Sequence, residues 1–293
     1  MTELDDFVIS EEQAVSKTKG NWTVRRADIQ FVIDCTKTMD FIIEAIKESI
    51  IDIVETYEMA DITVHLGLTE FRDSKWPKEG YTSSTVHRFK DDSCFTQDVE
   101  IFKKRISSLE AIGGGPEKES CFDAIAMATE ESDWNDGADS IIVFFSDASP
   151  YPDNKIVSGG ICGLCPIIKK NKLNQLHLVI SDHEPKVLDE YQDILYCVPN
   201  PTNPIQAIPG GIYSIGRKDE KKKGKTGNLE TLKRILKQIA KTSGRIVSSS
   251  SSNPYAEAPE LFVLEDGTDC HRMREKKVKK NKRSSSSQNN PYL

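Results

Sequence analysis

From Asp28 onward the chain alternates two patterns: short, nearly unbroken apolar runs, and longer stretches whose apolar residues recur every third or fourth position. "DIQFVID" (28–34) is a run of the first kind, "FIIEAIKESIIDIVETYEM" (41–59) has helical spacing, and "ITVHLGLTEF" (62–71) is again rich in β-branched and aromatic residues. This predicts a strand–helix–strand unit. "GYTSSTVHRF" (80–89) can add a short strand, and a helical stripe from Val99 to Leu109 runs through Ile101, Phe102 and Ile106. After the breaker Gly113-Gly114-Gly115-Pro116 a helix is expected over 119–131, then the most apolar strand, "SIIVFFSD" (140–147). A weaker helix over 165–171 and a strand "LHLVIS" (176–181) follow. The amphipathic helix "NLETLKRILKQIAKTSG" (228–244) is expected to end on a Gly244 C-cap, with "RIV" (245–247) as a last strand. Alternating strands and helices imply right-handed crossovers and one doubly wound, mostly parallel α/β sheet of Rossmann-like type, with helices on both faces.

The chain of 293 residues, 37% of them hydrophobic, suits one large domain with tails or two small ones, and the single alternating pattern points to the first. Residues 1–26 are polar without a period and read as a flexible arm, 27–248 as the domain. Residues 249–293 read as a low-complexity, basic tail in which "LFVLED" (261–266) is the one apolar stretch.

A formal charge of −7 argues against nucleic-acid binding by the body of the protein. The basic runs at 217–225 and 274–283 read as solvated loop and tail; otherwise they offer a contact for an acidic partner or nucleic acid, or a nuclear address in a eukaryote. No apolar run approaches the roughly 20 residues of a membrane span, and the start "MTELDDFVISEEQ" is acidic, so a cytoplasmic protein is expected. Seven cysteines at irregular spacing then read as reduced thiols, and the Asn21-Trp22-Thr23 glycosylation pattern as idle.

Chemistry concentrates at the strand ends. Asp34 closes the first strand, Thr36 and Thr38 lie in the turn after it, and Asp147 closes the "VFFSD" strand. An aspartate followed by threonines is also how an ordinary helix N-cap looks. Four hard oxygen donors converging at one sheet edge instead suit a divalent ion such as magnesium or manganese, which keeps waters where the protein supplies few ligands.

At these residues "DIQFVIDCTKTM" resembles the first segment of a von Willebrand factor type A (vWA) domain, whose metal-ion-dependent adhesion site (MIDAS) reads Asp-x-Ser/Thr-x-Ser/Thr. "HLGLTEFRDS" (65–74), "GGGPEKESCFDAIAMATEESDW" (113–134) and "SIIVFFSDASPYPD" (140–153) are similar to later segments of an intracellular-type branch. The resemblance implies that Thr36 and Thr38 coordinate the metal directly and that Asp34 and Asp147 act mostly through water. It also implies a third-loop ligand, which falls on Glu119 or, aligned by the Pro-Glu pair, on Glu117, the loop having lost the usual aspartate. Asp73 reads as a turn aspartate or as lining the partner-binding face.

"CGLC" (162–165) has the spacing of a redox pair or half a zinc site, but no clear strand precedes it and His177, His183 and Cys197 are not paired at zinc spacing, so packed or idle thiols are preferred. There is no Ser-His-Asp order, no phosphate-cradling Gly-x-x-x-x-Gly-Lys-Ser/Thr and no dinucleotide fingerprint. Two function classes follow. The first is a non-enzymatic module that holds a partner protein's Asp or Glu through its metal, as a subunit of a larger intracellular assembly. The second is a metal-assisted hydrolase, or a regulatory subunit acting with a separate kinase or ATPase; a hydrolase needs a general base beside the ion, and His65 and His87 are the only upstream histidines.

Overall fold

The computed structural model describes residues 25–115, 118–182, 185–197, 207–216 and 220–250. Its strands are β1 (Arg25–Asp34), β2 (Ile62–Phe71), β3 (Ser84–Val86), β4 (Phe95–Thr96), β5 (Lys118–Glu119), β6 (Asp139–Ser146), β7 (Ser149–Pro150), β8 (Gln175–Asp182) and β9 (Gly210–Gly216). The helices are α1 (Asp40–Glu58), α2 (Val99–Ser107), α3 (Cys121–Glu131), α4 (Ile161–Lys170), α5 (Pro185–Cys197) and α6 (Glu220–Ser250). The main sheet runs β3-β2-β1-β6-β8-β9, with β4 also pairing β2. β1, β2, β6, β8 and β9 are parallel, and only β3 and β4 run against β2. This is the expected doubly wound α/β sheet.

Alternation along β1 sends Ile29, Phe31 and Ile33 into one core with α1, α2 and α6. On the other face Val32 joins α3, α4 and α5. Aromatic stacking links strands within each layer, Phe31 with Phe145 at 6.3 Å between ring centroids and Phe71 with Phe144 at 5.5 Å. β1 is flanked by β2 on one side and β6 on the other, so the strand order reverses between β1 and β6. In such sheets the switch point is where a ligand crevice is expected, outside the carboxyl ends of these two strands.

Several expectations need correction. "RIV" (245–247) is not a strand, because α6 continues through Gly244 to Ser250 and Val247 extends its buried stripe after Ile239 and Ala240. Gly244 packs near Tyr57 and Ile62, and the Tyr57 hydroxyl hydrogen-bonds Ser243 one residue before it. From Glu220 the basic run is helical rather than loop. Glu119 stands in a two-residue bridge, with α3 beginning after it, and the helix over 165–171 begins earlier, at Ile161. α5 and β9 were not anticipated. β1 takes in two residues assigned to the arm, whose residues 1–24 lie outside those described, as do 251–293 of the tail.

If Gly244 were a left-handed cap, adding a methyl there would strain the backbone; within a helix it restricts the unfolded chain instead. A Cβ at Gly244 would meet its nearest neighbour at an ordinary 3.8 Å. Gly244→Ala is therefore expected to raise stability by about 0.5–1 kcal/mol in denaturant unfolding, whereas a cap would make it lower.

Candidate metal centre

Asp34 is fully buried at the end of β1 and each of its oxygens is engaged. The Thr36 amide donates to Oδ1 at 2.9 Å and the Ser146 hydroxyl to Oδ2 at 2.9 Å. Ser146 precedes Asp147, so the end of β6 supplies both the donor that orients Asp34 and a second carboxylate. Sequence reasoning missed Ser146, although its place in "FSD" beside a site aspartate was the available signal. Thr36 is buried, whereas Thr38 is exposed in the 3-10 turn Lys37–Met39 that leads into α1. Asp147 is 7% exposed.

The glycine loop brings in the third element. Gly113 and Gly114 have φ of 83° and 107°, conformations that L side chains rarely adopt. A Cβ on Gly114 would lie 3.2 Å from Thr36 Cβ and 3.3 Å from Glu119 Oε1, so the loop backbone sits between these two side chains. The Lys37 amide donates to the Gly113 carbonyl at 3.4 Å, and the Ile112 amide to the Cys35 carbonyl at 2.8 Å. Glu119 is 4% exposed and pairs in parallel register with Pro150 in the loop after β6. Its Oε2 is buried without a hydrogen-bond partner. Glu117 lies outside the described residues.

The second loop contributes Asp73, 1% exposed, whose Oδ1 accepts from the Lys75 amide at 2.8 Å and Oδ2 from the Tyr151 hydroxyl at 3.1 Å. Asp73 thus closes a local turn, and its carboxylate lies near enough to Glu119 to act on it. Ser120, Ser74 and Asn154 tie the loops together, the Ser74 amide and Asn154 Nδ2 each donating to Ser120 Oγ at 2.8 Å. Asp123 accepts from the amides of Lys155, Ile156 and Val157 at 2.8–3.1 Å, fixing the loop after β6 on the start of α3.

Electrostatics follow from this burial. Desolvation, and next the Asp147 carboxylate, raise Asp34 to about 7. Glu119 is raised to about 9 by burial, then by Asp34 and Asp73, with Asp147 adding to them. No lysine or arginine is among the main influences on either group; burial is the largest cause for both, and the neighbouring carboxylates add to it. Among the described residues no three His, Cys, Asp or Glu side chains form a metal-binding group by themselves. Any ion held here needs the threonine hydroxyls and water as well, and the unpartnered Glu119 oxygen in an all-oxygen set fits a hard divalent ion.

Residues 28–159 match the family model described as the von Willebrand factor A domain. The vWA-like region thus spans β1 through the loop after β6 and includes Asp34, Thr36, Thr38, Asp73, Glu119 and Asp147. No curated protein matches the chain. Among solved structures, proximal thread matrix protein 1 from the mussel byssus, with a zinc-occupied MIDAS motif, aligns at a TM-score of 0.50 and 13% identity, over 75% of this chain and 46% of that one. The pilus adhesin SpaC from Lactobacillus rhamnosus GG, in an open conformation, aligns at 0.49 and 10% identity, over 78% of this chain and 30% of that one. The chain spans less than half the length of either, and at 13% identity the likeness to the byssus protein is one of fold.

The CGLC pair falls in the first two turns of α4, Cys162 exposed and Cys165 half-buried. His177 is buried in β8 against Tyr213 and Gln175, away from both cysteines' helix, and His183 lies outside the described residues.

Because both pKa values are raised above the usual carboxylate range, the stability these groups contribute is fully present below about pH 4. It is lost as pH rises through about 7 for Asp34 and about 9 for Glu119. Glu119→Gln removes one of the repelling charges. Without divalent ions the variant is expected to exceed the wild type in stability by about 1 kcal/mol or more at pH 9 and by little at pH 5; parallel pH profiles from denaturant titrations would contradict this.

Proposed function

We propose that the crevice binds a hard divalent ion, magnesium or manganese, and that the protein uses it to hold an Asp or Glu carboxylate of a partner protein. The observation that carries this reading is the buried, unpartnered Oε2 of Glu119, a group whose affinity for protons is raised by burial and by the carboxylates of Asp34, Asp73 and Asp147. Thr36 and Thr38 would offer neutral hydroxyls, Asp34 and Asp147 would act mostly through water, and Glu119 would be the third-loop oxygen. Such an ion supplies positive charge and an open coordination position, which an incoming carboxylate satisfies better than a hydroxyl or amide. Asp73, already engaged by Lys75 and Tyr151, borders the site and orients the second loop.

The hydrolase alternative lacks support in the geometry. His65 meets Gln97 on β2, His87 lies 3.5 Å from Glu70, and His177 is enclosed in the sheet. Among the described residues no imidazole is placed to act as general base for water in the crevice. We further infer a cytoplasmic module, or a nuclear one in a eukaryote, serving a larger assembly, with the arm 1–26 and the basic tail 249–293 as flanking segments. Regulation alongside a separate kinase or ATPase is compatible with the same carboxylate-binding role.

Thr38→Ala deletes a hydroxyl without adding charge, and Thr38→Val also keeps the shape, so together they separate coordination from packing. Both variants are expected to retain the circular dichroism spectrum while losing metal-dependent capture of partner protein from native extract as fully as chelator does. Capture that persists in chelator, or in Thr38→Val, would place the partner on another surface.

A further inference from the structure

The loops that carry the crevice also carry exposed apolar side chains. Trp76 is 60% exposed and Ile156 44% exposed. A single exposed apolar residue is ordinary on any protein, but these two share one rim: Trp76 follows Ser74 by two residues, Ile156 follows Asn154 by two, and Ser74 Oγ donates to Asn154 Oδ1 at 2.8 Å. The indole is contiguous with the site itself. A Cβ on Gly115 would fall 2.8 Å from Trp76 Cδ1 and 2.3 Å from Asp73 Oδ2, so the glycine loop, the indole and the Asp73 carboxylate are packed together with no room for a side chain between them. Tyr151 donates to the same Asp73 oxygen and carries the Lys75 ammonium over its ring at 4.0 Å. Lys37, Lys75 and Lys78 are all exposed, and Lys78 lies beside Gly113.

The crevice is therefore bordered by an apolar ledge with cations around it. Indoles supply large contact area at low entropic cost and recur as binding hot spots. The surrounding lysines favour an anionic partner and disfavour a basic one.

We propose that Trp76, with Tyr151 and Ile156, forms an apolar subsite beside the carboxylate-binding crevice, so that the partner is an acidic protein segment carrying a bulky apolar side chain within a few residues of its Asp or Glu. This rests on the metal-dependent reading above for the carboxylate, and on the ledge alone for the apolar requirement. Trp76 sets specificity: an acidic segment without the apolar neighbour leaves the indole in water and binds weakly.

The test selects a random peptide library displayed on phage against the full chain in magnesium and, separately, in chelator. Wild type, Trp76→Ala and Trp76→Phe are compared, and manganese binding to each is read by paramagnetic resonance. The wild type is expected to enrich peptides with an acidic residue near Phe, Trp, Leu or Ile. Trp76→Ala should lower that enrichment about tenfold with manganese binding unchanged, and Trp76→Phe should restore most of it. Acidic peptides without an apolar neighbour, enrichment indifferent to Trp76→Ala, or no enrichment in either condition would overturn the proposal. Enrichment that depends on Trp76 yet persists in chelator would support the apolar subsite and overturn the metal reading instead.

Discussion

Four buried carboxylates gathered at one sheet edge, with no lysine or arginine among the main influences on Asp34 and Glu119, form the constraint on which the rest of this molecule depends. Burial raises the affinity of Asp34 and Glu119 for protons because water no longer solvates the ionised form, and the neighbouring carboxylates add to the effect. A structure that assembles such a group gives up stability at neutral and alkaline pH. It does so at the switch point of the sheet, where strand ends rather than strand interiors carry the cost and loops can adjust around a bound charge.

Holding the group together takes more than the strands. β1 and β6 deliver Asp34, Ser146 and Asp147 through parallel pairing that brings Ile33 opposite Phe145 immediately before the site. The remaining oxygens come from loops, which are fixed by backbone contacts that side chains would block: Gly114 between Thr36 and Glu119, and Gly115 against Asp73 and Trp76. Buried polar links among Ser74, Ser120 and Asn154, and the three amides received by Asp123, keep these loops in register with α3. The same links carry Trp76 and Ile156 at the rim, so the polar framework of the crevice also positions its apolar edge.

What was legible in the sequence follows from this division. Asp34, Thr36, Thr38 and Asp147 sit at strand ends, where an apolar run stopping at a carboxylate is a local signal. The core strands β1, β2, β6 and β8 were equally plain, being nearly continuous apolar runs. Ser146, Tyr151 and Asn154 act across gaps of 34 to 112 residues, and nothing local to them announces a partner. β9 is a short strand flanked by glycines and α5 mixes charges among its apolar positions, so neither stood out. The extension of α6 past Gly244 was hidden for another reason: a glycine after an amphipathic stretch reads as a cap unless packing against Tyr57 and Ile62 is known.

The central claim, that the crevice is built for a divalent ion, is tested most directly by the protons that ion displaces. Titrating magnesium or manganese into the protein at pH 7 by calorimetry, in buffers of different ionisation enthalpy, measures proton release separately from binding heat. With Glu119 raised to about 9 and Asp34 to about 7, the account predicts saturable one-site binding that releases roughly one proton or more, with less release at pH 9. Absence of saturable binding, or binding at pH 7 that releases no protons, would contradict it.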